Sequence, residues 1–250
     1  MNIILADKSE IQDGSLIVTD RRAEHLVKVL KIKVDDTVRI GQINGPMGKG
    51  RVLEVRVQYP FSVKLEVVFD VWPQAVQGID LVLALPRPIM LKRILSQMSA
   101  MGVGTIHLVN ANRVEKSFWK ATILNESEYM DHLLQGLEQA VDTRVPQICI
   151  HNRFKPFVED YLPTILDSYP VKIVAHPKGP YTLASQMRAG LSPVLLAVGP
   201  EGGWVDYEVE KFCQLGFSSC SLGDRILKVD TATIALHARI TVMQELASSV

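Results

Sequence analysis

Two glycine-containing stretches near the C-terminus carry the residue types that could do chemistry. They are Gly199-Pro200-Glu201-Gly202-Gly203-Trp204 and Leu222-Gly223-Asp224-Arg225-Ile226-Leu227. Closely spaced glycines let backbone approach a ligand without Cβ obstruction and offer main-chain hydrogen bonds in unusual dihedrals. A dinucleotide-binding loop needs G-x-G-x-x-G after the first strand and an acid about 20 residues later. Asp224 falls near that distance from Gly203, but the glycine spacing differs and both loops follow late strands. There is no G-K-[ST] either, so phosphate cradling of the P-loop kind is excluded. In the second stretch two large aliphatics follow a charged pair where the chain should turn at the surface. Ile226 and Leu227 either wall an adenine-sized pocket or plug the core, just as GPEGG is either a ligand loop or an ordinary turn.

These loops need strands to end on and helices to lead into. Val194–Val198 precedes the first loop and Ser218–Leu222 the second, each a strand-like run. Further strands are predicted at Leu81–Leu85, Thr105–Val109 and Lys172–Ala175. Between them, Leu91, Ile94, Leu95, Met98 and Met101 form one helical stripe that stops at Gly102, and Tyr129, Leu133, Leu137 and Val141 form another. Asp206 is placed to cap a helix ending at Gly216, and a last helix runs from about Ala232 toward Leu246. Strands alternating with helices predict an α/β domain with a mainly parallel sheet. Residues 1–72 read differently. Thr37–Ile40 and Val63–Val67 alternate with a period near two, and Asn44–Gly50 is turn-rich. One helix interrupts them, with Ala23, Leu26, Val27 and Leu30 behind Asp20 as cap. The expectation is a small β-rich, barrel-type domain, a boundary near Trp72–Gly78, and a second domain over 73–250.

Composition bounds the function. The chain has 250 residues, 47% hydrophobic and 22% charged, with zero net charge. No apolar run approaches the roughly 20 residues of a membrane helix, and MNIILADKSE lacks a signal pattern, so a cytoplasmic location is expected. Cys149, Cys213 and Cys220 are odd in number and lack C-x-x-C spacing, which argues for buried free thiols over disulfides or a zinc site, and no metal is expected. Positive charge is concentrated locally: Arg21, Arg22, Lys28, Lys31 and Lys33 face only Glu24, and Arg113, Lys116 and Lys120 form a looser group. Such clusters are either solvated helix faces or phosphate contacts.

With these residues in view, the chain resembles the RsmE-type ribosomal RNA methyltransferases, members of the SPOUT class of S-adenosylmethionine enzymes. The resemblance rests on GPEGG, on LG-x-RIL followed by T-A-x-x-A, and on matches upstream. His25-Leu26-x-x-Val29-Leu30 followed by Val34-x-Asp36 resembles the family's H-L-x-x-V-L-R-x-x-x-G-D segment. Glu138-Gln139, Arg144 and Pro146 resemble its E-Q-x-x-R-x-x-x-P stretch with altered spacing. The chain departs from the family at Lys228 and Asp230, where Arg and Glu are usual, and in Leu85–Arg93, where a K-x-x-R-x-E segment is usual.

The resemblance implies a PUA-like RNA-binding domain, a SPOUT-like catalytic domain with a C-terminal trefoil knot, and a homodimer. It implies methyl transfer from S-adenosylmethionine to N3 of a uridine in 16S ribosomal RNA, free or in the small subunit. The implied cofactor contacts are Ala175, His176, Pro177, Val198, Gly199, Gly203, Leu222, Gly223, Ile226 and Leu227. Uracil N3 must lose a proton to become a nucleophile, so the site needs a base or a cation that stabilises the anion. Arg225 is the expected stabiliser and Glu201 or Asp230 the expected base or its orienter; alternatively Arg225 pairs with Asp230 and Glu201 caps the following helix. Phosphate contacts are expected from Arg21, Arg22, His25, Lys28, Lys31, Lys49 and Arg51. Two other readings remain open: a non-catalytic RNA-binding or ribosome-assembly factor on the same fold, and a Rossmann-type nucleotide-dependent enzyme.

Overall fold

The computed structural model describes residues 1–73, 78–187 and 192–248. The chain divides into two compact units, one of Met1–Ala75 with Leu133–Val145 and one of Val76–His132 with Pro146–Val250. Residues 74–77 of the expected boundary stretch lie outside the described residues. Residues 133–145, read from sequence as part of the second domain, group with the first unit.

The first unit is built on a six-stranded sheet. Its strands are β1 (Ile4–Ala6), β2 (Ile11–Gln12), β3 (Ser15–Val18), β4 (Thr37–Gln42), β5 (Met47–Arg56) and β6 (Ser62–Val71), in the order β1-β4-β5-β6-β3-β2. Only β1 and β4 pair in parallel. The period-two pattern of β6 explains why it forms: Val63, Leu65 and Val67 turn inward while Lys64, Glu66 and Val68 face out. Leu16, Val18, Leu26, Ile40, Val52, Val63 and Leu65 are fully buried in one core. The turn-rich stretch shrinks to residues 43–46, because Met47–Gly50 joins β5. The expected helix starts at Arg21, with the Asp20 carboxylate accepting the Arg22 N–H, and loosens into a π-helical turn over His25–Val29.

The second unit holds a seven-stranded, wholly parallel sheet. Its strands are β7 (Ile79–Ala84), β8 (Thr105–Val109), β9 (Gln147–His151), β10 (Val171–Ala175), β11 (Tyr181–Thr182), β12 (Val194–Val198) and β13 (Ser218–Ser221), in the order β11-β13-β10-β12-β7-β8-β9. All five residues of β12 are buried, as a strand covered on both faces requires. Long helices span Pro88–Ala100, Glu126–Ala140, Asp206–Gln214 and Val229–Ser248. Leu91, Ile94, Leu95 and Met98 are buried on the expected stripe of the first.

Two local expectations need correction. Val205, not Asp206, occupies the N-cap position, and Glu208 does the capping, its carboxylate accepting the Val205 N–H at 3.0 Å. Cys213 is exposed and Cys149 half-buried, so only Cys220 is the buried thiol expected of all three. The edge strand β9 and the short helical turns over Phe154–Ser168 carry no pattern that predicts them.

Candidate functional site

In a parallel sheet all strand C-termini share one edge, and ligands bind where neighbouring loops diverge there. Loops leaving β7, β10, β12 and β13 meet at such a place and enclose a cavity of about 700 Å³. Ala175, His176 and Pro177 follow β10; Val198, Gly199 and Gly203 follow β12; Leu222, Gly223, Ile226 and Leu227 follow β13. The structure thus brings all ten expected cofactor contacts around one space, with Glu201 and Arg225 beside them. Asp230 is not in the lining.

The β12 loop is tightly made. The Gly203 N–H donates to Pro200 O at 2.7 Å, closing the turn. A Cβ at Gly199 would stand 3.0 Å from the Trp204 backbone nitrogen and 3.1 Å from its ring, so only glycine leaves this approach unstrained. Trp204 is buried, edge-on to Phe212 at 5.2 Å, and its indole N–H has no partner among the described residues. The Arg113 guanidinium donates to Gly202 O, which ties the loop after β8 to this one.

The β13 loop is open. Gly223 has φ 109°, a conformation side chains disfavour, although nothing crowds it. Ile226 is 84% exposed and Leu227 37%, so neither plugs the core. Both stand as apolar wall. Cys220, beneath them, is buried, and burial pushes its thiol up to about 11, which keeps it protonated.

The three candidate catalytic groups have different surroundings. Arg225 is exposed, lines the cavity, and makes no hydrogen bond or ion pair among the described residues, so the alternative pairing with Asp230 is absent. Asp230 turns to its own helix start, accepting the Thr231 N–H at 2.9 Å. Glu201 accepts the Arg87 N–H at 2.9 Å. Arg87 is the N-cap residue of helix Pro88–Ala100, so Glu201 holds that helix rather than the one that follows it.

The expected phosphate contacts separate in the same way. Arg22 is a correction: it is buried, with its guanidinium donating to Glu10, Asp20 and Leu5 O, and it cannot reach a phosphate. Arg21 makes a two-pronged bond to the buried Glu138 carboxylate, at 2.8 Å for each arm. Lys28 pairs with Glu24 at 2.7 Å, and Arg51 with Glu66 at 2.9 Å, both at the surface. Exposed pairs of this kind exchange readily for a phosphate. His25 is half-buried, and burial lowers its pKa, with the N-terminal ammonium adding to the effect. Lys31 and Lys49 are exposed with no ion pair among the described residues.

Sequence reasoning missed Arg87, Met90, Trp204, Cys220, Lys228, Val229, Ala232 and Leu236 in the lining. Arg87 and Met90 had a signal, since they follow the first strand of the parallel sheet at the edge where ligands bind. The others are apolar or flank the quoted stretches, and only the fold aims them inward.

Comparison with known proteins fits this geometry. A family model described as an RNA methyltransferase domain matches residues 73–241. A Treponema pallidum protein named ribosomal RNA small subunit methyltransferase E is 29% identical over 240 residues, covering 95% of this chain and 90% of that one. A Borreliella burgdorferi protein named ribosomal RNA small subunit methyltransferase E 1 is 27% identical over 236 residues, covering 94% and 95%. Among solved structures, a ribosomal RNA small subunit methyltransferase E from Neisseria gonorrhoeae, bound to S-adenosyl methionine, has a TM-score of 0.78 at 18% identity, covering 97% of this chain and 98% of that one. A Legionella pneumophila methyltransferase in complex with the same cofactor has a TM-score of 0.77 at 19% identity, covering 96% and 97%. These two likenesses concern the fold. The family model spans well over half of the sequence and takes in every loop around the cavity, and on that ground the chain belongs to the RNA methyltransferase domain family.

Proposed function

We propose that the protein transfers a methyl group from S-adenosylmethionine to N3 of a uridine in small-subunit ribosomal RNA. The observation that carries this reading is the cavity itself: the loops after β10, β12 and β13 surround one space, in a chain of the RNA methyltransferase family. Family membership also sets aside the Rossmann-type alternative, which the strand order β11-β13-β10-β12-β7-β8-β9 does not resemble.

The residues present fit the cofactor. An adenosine needs apolar walls, backbone groups at its ring edge and room for a sulfonium. Val198, Leu222, Ile226 and Leu227 supply walls, Gly199 lets Trp204 pack close beneath the loop, and Trp204 carries a buried N–H without a partner among the described residues. When bound, S-adenosylmethionine supplies an electrophilic methyl carbon, and its sulfur keeps the bonding pair as N3 takes the methyl. Arg225 stabilises the uracil anion left when N3 gives up its proton: it is a cavity cation without a hydrogen bond or ion pair among the described residues, as are the Arg87 and Lys228 side chains, and it stands in the same loop as Ile226 and Leu227. Glu201 and Asp230, held at helix starts, orient the loops that carry the reaction, and the N3 proton passes to solvent.

The finer architecture belongs to the same proposal. Residues 1–72 form a PUA-like RNA-binding domain, supported by the six-stranded sheet and by Lys31 and Lys49, which have no ion pair among the described residues. Residues 73–250 form the SPOUT-like domain, with the 222–227 stretch threaded beside the 198–203 loop as a trefoil knot. Two copies associate, covering the exposed Ile226, Val242 and Leu246. No described helix is long and apolar enough to cross a membrane. A cytoplasmic location belongs to the proposal and is supported by the proposed ribosomal RNA substrate.

The test is direct. Protein, labelled S-adenosylmethionine and small ribosomal subunits are incubated, and the RNA is digested to nucleosides. 3-Methyluridine is the expected product. Cofactor binding without RNA methylation would favour an RNA-binding assembly factor, and binding of NADH in place of S-adenosylmethionine would end the proposal.

A further inference from the structure

A second hollow, of about 470 Å³, opens beyond the end of β9, the edge strand of the parallel sheet. His151, Asn152, Arg153, Phe157, Asp160 and Tyr161 line it. Three of these are rings packed as one wall: His151 stands 4.6 Å from Tyr161 and 4.7 Å from Phe157, centroid to centroid.

That wall is fixed from behind. His107 is 2% exposed, and its Nδ1 lies 3.2 Å from Nε2 of His151, so one imidazole proton bridges the two rings. Burial, with His151 adding to it, lowers the His107 pKa to about 4 and keeps the pair from carrying two charges. Burial, with the neighbouring Cys149 side chain, raises the pKa of the Tyr161 phenol. None of these groups is used by the methyl-transfer cavity.

What would such a wall recognise? Aromatic and imidazole rings accept an unstacked base, amide and carboxylate groups pair with base edges, and arginine binds phosphate. Asn152 and Asp160 supply the polar groups. Arg153 is exposed and has no ion pair or side-chain hydrogen bond among the described residues.

The hollow shares an edge with the methyl-transfer cavity. β12, β7, β8 and β9 are successive parallel strands, so the end of β9 lies three strand spacings from the end of β12, about 14 Å. The loop after β8 bridges the interval. Asn110 Nδ2 donates to Asn152 O at 3.2 Å, Trp119 Nε1 donates to Asn110 Oδ1 at 3.0 Å, and Arg113 reaches Gly202 O. The same loop carries Lys116 and Lys120.

We propose that this hollow seats a nucleotide flanking the methylated uridine on the same RNA strand, its base against His151 and Tyr161 and its phosphate on Arg153. The proposal deepens the methyltransferase reading and rests on it.

The experiment uses the full-length chain and two readouts, affinity for small-subunit ribosomal RNA by filter binding and methyl transfer into small subunits. Arg153→Glu should weaken RNA affinity and raise the RNA KM about five- to tenfold, the scale of one exposed phosphate contact, with kcat and cofactor affinity unchanged. The slope of log affinity against log salt should fall by about 0.7, one single-strand phosphate. Arg153→Lys should recover most of both. With 4-thiouridine in the substrate, crosslinks should fall within residues 151–161. Methylation that proceeds with unchanged RNA affinity, KM and salt slope in Arg153→Glu overturns the hollow while leaving the methyltransferase reading intact. No methylation by the wild-type protein, with RNA binding weakened in Arg153→Glu, overturns the methyltransferase reading and leaves the hollow standing as an RNA site. No methylation by the wild-type protein, with RNA binding unchanged in Arg153→Glu, removes both.

Discussion

Arg225→Ala separates chemistry from binding, because the side chain makes no contact whose loss the fold would register. It is exposed, lines the cavity, and has no hydrogen bond or ion pair among the described residues. Removing it should change stability by no more than about 0.5 kcal/mol. Cofactor affinity, assigned to backbone and apolar walls, should stay within about threefold. A cation placed against developing negative charge contributes about 3 kcal/mol, so the rate constant should fall by about two orders of magnitude. The loss should also depend on pH. Without the guanidinium the N3 anion is no longer stabilised, and the variant's rate should climb about tenfold per pH unit, more steeply than that of the wild type, whose stabilised anion forms at lower pH. Single-turnover transfer of labelled methyl into small subunits between pH 6.5 and 9 reads both effects. Thermal melting and cofactor titration on the same preparation supply the controls. A variant matching wild type in rate and pH slope would refute the role, and one losing cofactor affinity in step with its rate would make Arg225 a binding residue.

Other outcomes follow from particular contacts. Gly199→Ala, whose methyl would stand 3.0 Å from the Trp204 nitrogen, should cost about 1 to 3 kcal/mol in overpacking and weaken S-adenosylmethionine binding, read by melting and calorimetry. Arg22→Ala leaves the Glu10 and Asp20 carboxylates without their cation and should cost about 3 kcal/mol in denaturant unfolding, whereas Lys31→Glu should leave stability unchanged and weaken RNA binding in filter assays. His107 is held neutral at a pKa of about 4 against 6.5 unfolded. Between those values the unfolded chain binds a proton that the folded chain refuses, so stability is full above pH 6.5 and declines as pH falls toward 4. The decline from this residue should be about 3 kcal/mol. His237, also lowered to about 4 by burial, acts in the same direction. Melting curves across pH 4 to 7 should flatten in a His107→Gln variant that still folds, and an unaltered pH dependence would count against the buried pair.

The sequence makes the cavity loops legible but not the fate of the basic cluster, and the reason is the range of the interactions involved. Gly199, Gly203 and Gly223 are demanded by local backbone geometry, a close approach in the first case and left-handed φ values of 73° and 109° in the other two, and local geometry writes itself into short words. The strand before the first loop, Val194–Val198, is buried on both faces and announces itself as uninterrupted Val, Leu and Ala, whereas β13 before the second is Ser-Ser-Cys-Ser and carries no such signal. The acid that takes up Arg21, by contrast, is 117 positions away, at Glu138. Glu10, which takes up Arg22, stands in a segment where nothing marks it as a partner. A run of cations therefore reads as a phosphate surface until the fold shows which of them already hold acids. The E-Q stretch that resembles the family is a structural device on the same grounds: Glu138 is buried, its carbonyl accepts the Asn2 N–H at 2.8 Å, and its carboxylate clamps Arg21. Asp35 closes the argument from the other side. It stands at φ 71°, in the left-handed region, where the family's H-L-x-x-V-L segment carries glycine. The aspartate keeps the turn that the glycine would have made, and in doing so it sets a carboxylate 3.3 Å from Arg51, lowering the net positive charge of this face.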